Sequence, residues 1–243
     1  MQTTISVENL SKSYGNKQVV NNLNISVKSG EIFGLLGANG AGKSTTIECI
    51  LGTKKADKGN VSILGLNPRK NRKELFEMVG VQFQESNYQD KILVSELCRE
   101  TESLYKHPNS YQGLLQQFGI IEKINSPISE LSGGQKQKLF IVLALIPNPK
   151  VVFLDELTTG LDPRSRRDVW KSLTTLKEQG LTIFLTSHFM DEVEALCNHI
   201  MILKKGDSIF TGTTKEAVES SPFDKFEDAY LWYTEEEEND ESL

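Results

Sequence analysis

Residues 32–45 read IFGLLGANGAGKST, an unbroken apolar run followed by a glycine-rich turn and a helix start. The run at 32–36 has no polar alternation, so it suits a strand buried on both faces, as in a parallel sheet covered by helices. The turn fits G-x-x-x-x-G-K-[ST], with Gly37, Gly42, Lys43 and Ser44 at the fixed positions. Its glycines let backbone N–H groups approach phosphate oxygens. Lys43 brings a positive charge for β- and γ-phosphates, and Ser44 brings a hydroxyl for Mg²⁺. The candidate binding residues of the loop are Gly37, Asn39, Gly40, Ala41, Gly42, Lys43, Ser44 and Thr45.

Two further runs share the character of the first, VVFL at 151–154 and LTIFLT at 181–186. Each is followed by a helical stretch, as the first is by 43–51. The second leads to 163–179, with Asp162 as N-cap and Pro163 at the first helical position, and the third to 189–197. Alternating strand and helix predicts an α/β fold. The start of the chain differs. Residues 3–8 and 18–27 alternate, with turn signals at 14–16 and 28–30, which predicts antiparallel strands beside the parallel core. Residues 90–147 show no obvious strand and read as several helices. The last carries Leu139, Val142, Leu143 and Ile146 on one face. A helical subdomain inserted into the core is the expectation. There is no internal repeat.

The strand VVFL ends in two acids, Asp155 and Glu156. Adjacent strand residues point to opposite sides, so the two can take different tasks. Asp155 is the candidate for holding Mg²⁺ through its water shell, and Glu156 for facing an attacking water. The carboxyl ends of such strands are where ligands gather. A second anion-ready helix start is LSGGQKQK, at 131–138. Ser132 is its N-cap and Gln135 stands three residues on, as in a capping box. Gly133 and Gly134 leave the first backbone N–H groups bare, an arrangement that attracts phosphate.

Composition narrows the classes. Of 243 residues, 38% are hydrophobic and 25% charged, ordinary for a globular protein. No apolar run approaches the ~18 residues that span a bilayer, and the N-terminus does not read as a signal peptide. Action at a membrane would require a partner. The net charge of −6 is matched by six acids at 235–243, where there is no base, so the remaining residues sum to zero. That tail reads as a disordered, solvated end. With no basic excess, nucleic acid is not an expected partner. Arg69, Lys70, Arg72 and Lys73 read as a solvated helix start. Cys49, Cys98 and Cys197 are scattered and odd in number, which points to unpaired thiols in a reducing compartment. Nothing completes a metal site around Cys197 and His199, so both read as structural.

The phosphate loop, the paired acids and LSGGQ, in this order, resemble the ATP-binding cassette family, of which LSGGQ is the signature. Its five fixed letters arise by chance in such a chain at roughly a few in ten thousand, and the resemblance covers nearly the whole chain. It implies a P-loop NTPase cassette: a mainly parallel core sheet, an N-terminal antiparallel β-subdomain and an inserted helical subdomain, together filling 1–234. By resemblance, Tyr14 stacks on adenine, although alone it reads equally as a turn tyrosine. Gln84, in VGVQFQE, resembles the glutamine that senses Mg²⁺ and the transported partner's state. LTTGLD at 157–162 resembles the loop linking two sites, and His188 the histidine that contacts the γ-phosphate. Gln84 and His188 taken alone read as ordinary loop and strand-end residues. The implied ligands of Mg²⁺ are Ser44, Gln84 and, through water, Asp155, and the implied catalytic residues are Glu156, His188 and Gln84.

In that family two cassettes pack head to tail, and the phosphate loop of one closes over the same ATP as the signature of the other. Ser132, Gly133, Gly134 and Gln135 would thus serve the partner's nucleotide. Two departures are Leu157, where proline is usual, and Lys138, where arginine is frequent. Neither removes a catalytic atom. The implied partners are a second copy in a homodimer and an integral membrane permease, which would hold the chain at the cytoplasmic face of the cell membrane. FEDAYLWYT at 226–234 resembles a late helix of ATPases from bacterial drug, antibiotic and polysaccharide exporters, so export is the expected direction. The alternative is a soluble ATP-driven switch, but such proteins usually carry two cassettes or a long coiled coil. A phosphate-loop kinase or GTPase is opposed by LSGGQ and by the lack of an N-K-x-D sequence.

Overall fold

The computed structural model describes residues 2–82, 91–156 and 158–235. Strands β1 (Thr3–Tyr14) and β2 (Lys17–Lys28) form an antiparallel hairpin whose turn has Gly15 at φ 57°. The alternation expected at 3–8 holds from Ile5 to Glu8 and breaks at Asn9, yet the strand runs on to Tyr14. Asn9, at φ 52°, makes a bulge between Val7 and Leu10 that returns Leu10 to the buried face. Asparagine tolerates that left-handed conformation better than most residues.

Next come β3 (Ile32–Gly37), buried at every position, and α1 (Lys43–Ile50). The polar strand β4 (Lys58–Ile63) returns to the other side of β1, giving the small sheet the order β2-β1-β4. A short helix α2 (Arg72–Leu75) then leads to β5 (Val79–Gln82). Arg69, Lys70, Arg72 and Lys73 around α2 are exposed, as a solvated helix start should be. Helices α3 (Val94–Ser103), α4 (Tyr111–Gln117) and α5 (Gly133–Leu145) follow, and no strand lies among the described residues of 91–147. After β6 (Val151–Leu154), helix α6 (Pro163–Glu178) starts where Asp162 accepts the N–H groups of Arg164 and Ser165, both at 3.0 Å. The chain continues through β7 (Thr182–Thr186), α7 (Met190–Leu196), the hairpin β8 (His199–Lys204) and β9 (Asp207–Gly212), α8 (Thr214–Glu219) and α9 (Phe226–Thr234).

The large sheet has the order β5-β6-β7-β3-β8-β9, parallel except for β9. The apolar-run reading finds β3, β6 and β7 and misses β4, β5, β8 and β9. β4, β5 and β9 lie at sheet edges, β4 and β9 with much polar sequence and β5 with its valines separated by Gly80 and followed by Gln82. Since β3 lies between β7 and β8, the phosphate loop leaves the sheet's interior beside the carboxyl ends of β6 and β7.

Leu139, Val142, Leu143 and Ile146 are all buried, as their spacing predicts, but Ile141, Ala144 and Leu145 between them are buried too. The single apolar face is therefore too narrow a reading. The end of α5 lies against β5 and shares one hydrophobic cluster with Val152, Leu154 and Ile183 of the sheet. Contact is backbone to backbone: a Cβ placed on Gly80 would come within 1.9 Å of the Ala144 carbonyl oxygen. Gly80→Ala is expected to destabilise the chain by about 1–3 kcal/mol, the range for forced overpacking, and urea unfolding checks this. All three thiols are free, and His199 pairs with Glu31 rather than with Cys197.

Candidate active site

The loop between β3 and α1 is shaped by glycines in backbone conformations that side chains disfavour. Gly40 has φ 80° and Gly42 φ 108°. At Gly42 the space is also closed, since a Cβ would lie 2.4 Å from the Val19 carbonyl oxygen. Gly42 is the N-cap of α1 and brings no side-chain cap, so the first turn presents backbone N–H groups to the cleft. Lys43 is buried, and its ammonium bends back to donate to the carbonyls of Gly37 at 2.7 Å and Ala38 at 3.2 Å. Burial pushes its pKa down, while the charges of Glu156 and Asp155 act in the opposite sense. Ala41 is turned inward, its N–H bonded to Ala38 and its carbonyl to Gly206.

The two acids diverge, but not by strand alternation. β6 ends at Leu154, and Glu156 takes φ 51° in the left-handed region. Asp155 is buried. One of its oxygens accepts the Thr186 hydroxyl, and the other lies 3.5 Å from the Ser44 hydroxyl. Glu156 is held by its backbone: its N–H donates to Thr186 Oγ1 at 2.9 Å, and its carbonyl accepts from the Gln137 amide at 3.3 Å. The Glu156 side chain is thereby turned into the cleft. A bulky residue at positive φ costs of order 1–3 kcal/mol and persists where its surroundings enforce it, here through Thr186.

The cleft has a volume of ≈ 670 Å³ and is lined by Gly37, Asn39, Gly40, Gly42, Lys43, Ser44, Thr45, Glu156 and His188, with Val19 from β2 and Tyr230 from α9. His188 is exposed, with its ring tilted against Phe189. Thus the loop, Glu156 and His188, far apart in sequence, meet in one place. Tyr14 does not line the cleft; it stands exposed at the end of β1 with the Lys12 and Lys54 ammonium groups 5.3 and 5.7 Å from its ring centre. Gln84 and Leu157 lie outside the described residues. Thr186, Val19 and Tyr230 escaped the sequence reading. Thr186 ends a buried strand next to His188, which is the one signal that marked it.

The second helix start forms as expected. Ser132 Oγ accepts the Gln135 N–H at 3.2 Å, and Gln135 Oε1 accepts the Ser132 N–H at 3.0 Å. A Cβ on Gly134 would lie 3.1 Å from the Leu161 side chain, so the signature packs against the turn after β6, while Gly133 faces open space. None of Ser132, Gly133, Gly134 and Gln135 lines the cleft.

The family model described as ABC transporter matches residues 20–159. Nod factor export ATP-binding protein I of Rhizobium etli is 38% identical over 222 residues, which are 89% of this chain and 70% of that protein. The linearmycin resistance ATP-binding protein of Bacillus subtilis is 36% identical over 214 residues, 86% of this chain and 69% of that one. Among solved structures, an ATP-binding subunit of an ABC transporter is 26% identical with a TM-score of 0.86, covering 96% of this chain and all of that one. A dimeric bacterial ABC transporter cassette is 25% identical with a TM-score of 0.77, over 86% and 98% of the two chains.

Proposed function

This chain belongs to the ABC transporter family, and from that membership we propose that it is the ATP-hydrolysing motor of an exporter whose membrane-crossing part is a separate permease. Both relatives described above are named for export or resistance, which favours export over the soluble-switch alternative. The observation that carries the reading is the separation of two anion-ready helix starts. One opens the cleft that holds Lys43 and Glu156, and the other, capped by Ser132, stands outside it. A second copy set head to tail brings its Ser132–Gln135 turn over the cleft. ATP held by both chains exists only in the closed pair, so it favours closure by its differential affinity.

In the proposed mechanism the backbone N–H groups of the loop and the Lys43 ammonium hold the β- and γ-phosphates. Glu156 accepts a proton from the water whose oxygen bonds to the γ-phosphorus as the bond to the ADP oxygen breaks. His188, which lines the same cleft, contacts the γ-phosphate. Tyr14, exposed at the end of β1, supplies the flat ring for adenine that the resemblance implies. Ser44 and Asp155 offer a hydroxyl and a carboxylate side by side, the hard oxygen donors that Mg²⁺ takes. Among the described residues no group of three or more His, Cys, Asp or Glu could hold a metal. Such a pair therefore fits an ion that completes its shell with phosphate and water, Gln84 being the further ligand that the resemblance implies. Bound there, Mg²⁺ would neutralise developing phosphate charge.

Among the described residues no helix is long and apolar enough to cross a membrane. The proposed location is the cytoplasmic face, held by the permease through the helical segment. Purification of the tagged chain from detergent-solubilised membranes of the source cell tests this. The expected result is a co-purifying polytopic membrane protein whose presence raises ATP turnover. Recovery with ribosomes or DNA-bound proteins alone would favour the switch.

A further inference from the structure

A buried carboxylate four residues after His188 has no role in the mechanism above. Glu192, on α7, is 0% exposed. Its Oε1 accepts the Thr158 hydroxyl at 2.8 Å and the Trp170 indole N–H at 3.0 Å. Its Oε2 is buried with no hydrogen-bond partner among the described residues. Removing a carboxylate from water and leaving one oxygen unpaired is unfavourable, and an apolar side chain would pack α7 more cheaply. The position calls for an account beyond packing.

The donors name what the carboxylate connects. Thr158, itself 1% exposed, belongs to the turn that runs to Asp162, and Leu161 of that turn touches Gly134 of the signature. Trp170 belongs to α6. Burial pushes the Glu192 carboxyl up, while the neighbouring Ser187 hydroxyl, the hydrogen bonds from Thr158 and Trp170 and the Arg166 charge pull the other way. Ser187 and Phe189 flank His188. Ser187 Oγ accepts the Phe189 N–H at 3.0 Å, and the Phe189 ring lies 4.1 Å below the Arg166 guanidinium, which also pairs with Asp191 at 3.0 Å. Glu192 thus stands between the turn beside the signature and the segment that carries His188.

We propose that Glu192 is a positioning residue that ties the Thr158 turn to the His188 segment, so that seating of the partner cassette sets the hydrolytic geometry. The inference rests on the reading of the chain as a dimerising ATPase. The buried Thr158 bond links the turn to α7, and the Trp170 bond braces the same carboxylate against α6, whereas a side chain without an acceptor would let the turn and the segment move apart.

The test compares full-length wild type, E192A, E192Q, T158V and the E192A/T158V double variant. ATP turnover is followed against chain concentration, and binding of a non-hydrolysable ATP analogue is measured on the monomer. E192A and T158V should bind the analogue as wild type does. Each should lose roughly tenfold in kcat, the scale of a broken coupling contact, with KM unchanged. E192Q keeps an oxygen acceptor for Thr158 and Trp170 and should recover most of the turnover. The double variant should be no slower than E192A, as expected when both changes break one link. Wild-type kcat in folded E192A and T158V would overturn the proposal, as would E192Q as slow as E192A. If E192A fails to fold, T158V, which loses one hydroxyl, decides alone. Wild type whose specific turnover does not rise with concentration would instead strike the dimeric reading, and this inference with it.

Discussion

Glu156→Gln is expected to lower ATP turnover by ~10²–10⁴-fold, the usual scale for loss of a general base, and to leave ATP binding intact. The substitution suits the site because two bonds that shape it are made by the backbone. Thr186 accepts the Glu156 N–H, and Gln137 donates to the Glu156 carbonyl. Glutamine keeps both, and at φ 51° it is no more strained than glutamate. What disappears is the carboxylate, a proton acceptor and a negative charge in a cleft that also holds Lys43 and His188. With hydrolysis blocked and binding retained, the ATP-bound dimer should accumulate. Single-turnover hydrolysis and size-exclusion chromatography with ATP read the two effects separately. Near-normal hydrolysis would remove Glu156 from the role of base.

Ser132→Arg should abolish turnover, with a loss of at least roughly 10²-fold from misplacement of the reacting groups, while ATP binding to the single chain persists. Ser132 is exposed at the start of α5 and does not line the cleft of its own chain. Its local work is the cap, and losing a serine cap costs about 1 kcal/mol. The buried end of α5, packed on β5, holds the helix regardless. Arginine adds bulk and charge where the nucleotide of the other chain must seat. Ser132→Ala is the comparison: it loses the hydroxyl and the cap without adding bulk, and should lose less turnover than Ser132→Arg. Calorimetry of ATP binding to the monomer, together with dimer formation in ATP, checks the difference. If Ser132→Arg weakened monomer binding as much as hydrolysis, the signature would be structural within its own chain.

The features legible in the sequence are those whose physics is contiguous. A glycine pattern sets the conformation of the loop at 37–42, and an unbroken apolar run sets the burial of β3 before it. Ser132 and Gln135 form their capping box across three residues, and Asp162 caps α6 in the same way. The features that stayed hidden join distant segments. The strand order brings the ends of β6 and β7 beside β3, so Ser44 meets Asp155 across 111 positions and Thr186 meets Asp155 across 31. The same convergence turns Glu156 out of the strand, carries Tyr230 of α9 into the cleft and buries Glu192 beneath the Thr158 turn. Local motifs are written in consecutive backbone torsions and apolar spacing. These long-range bonds exist only once the sheet has closed, because the energy of each contact depends on a neighbour that the chain itself places far away.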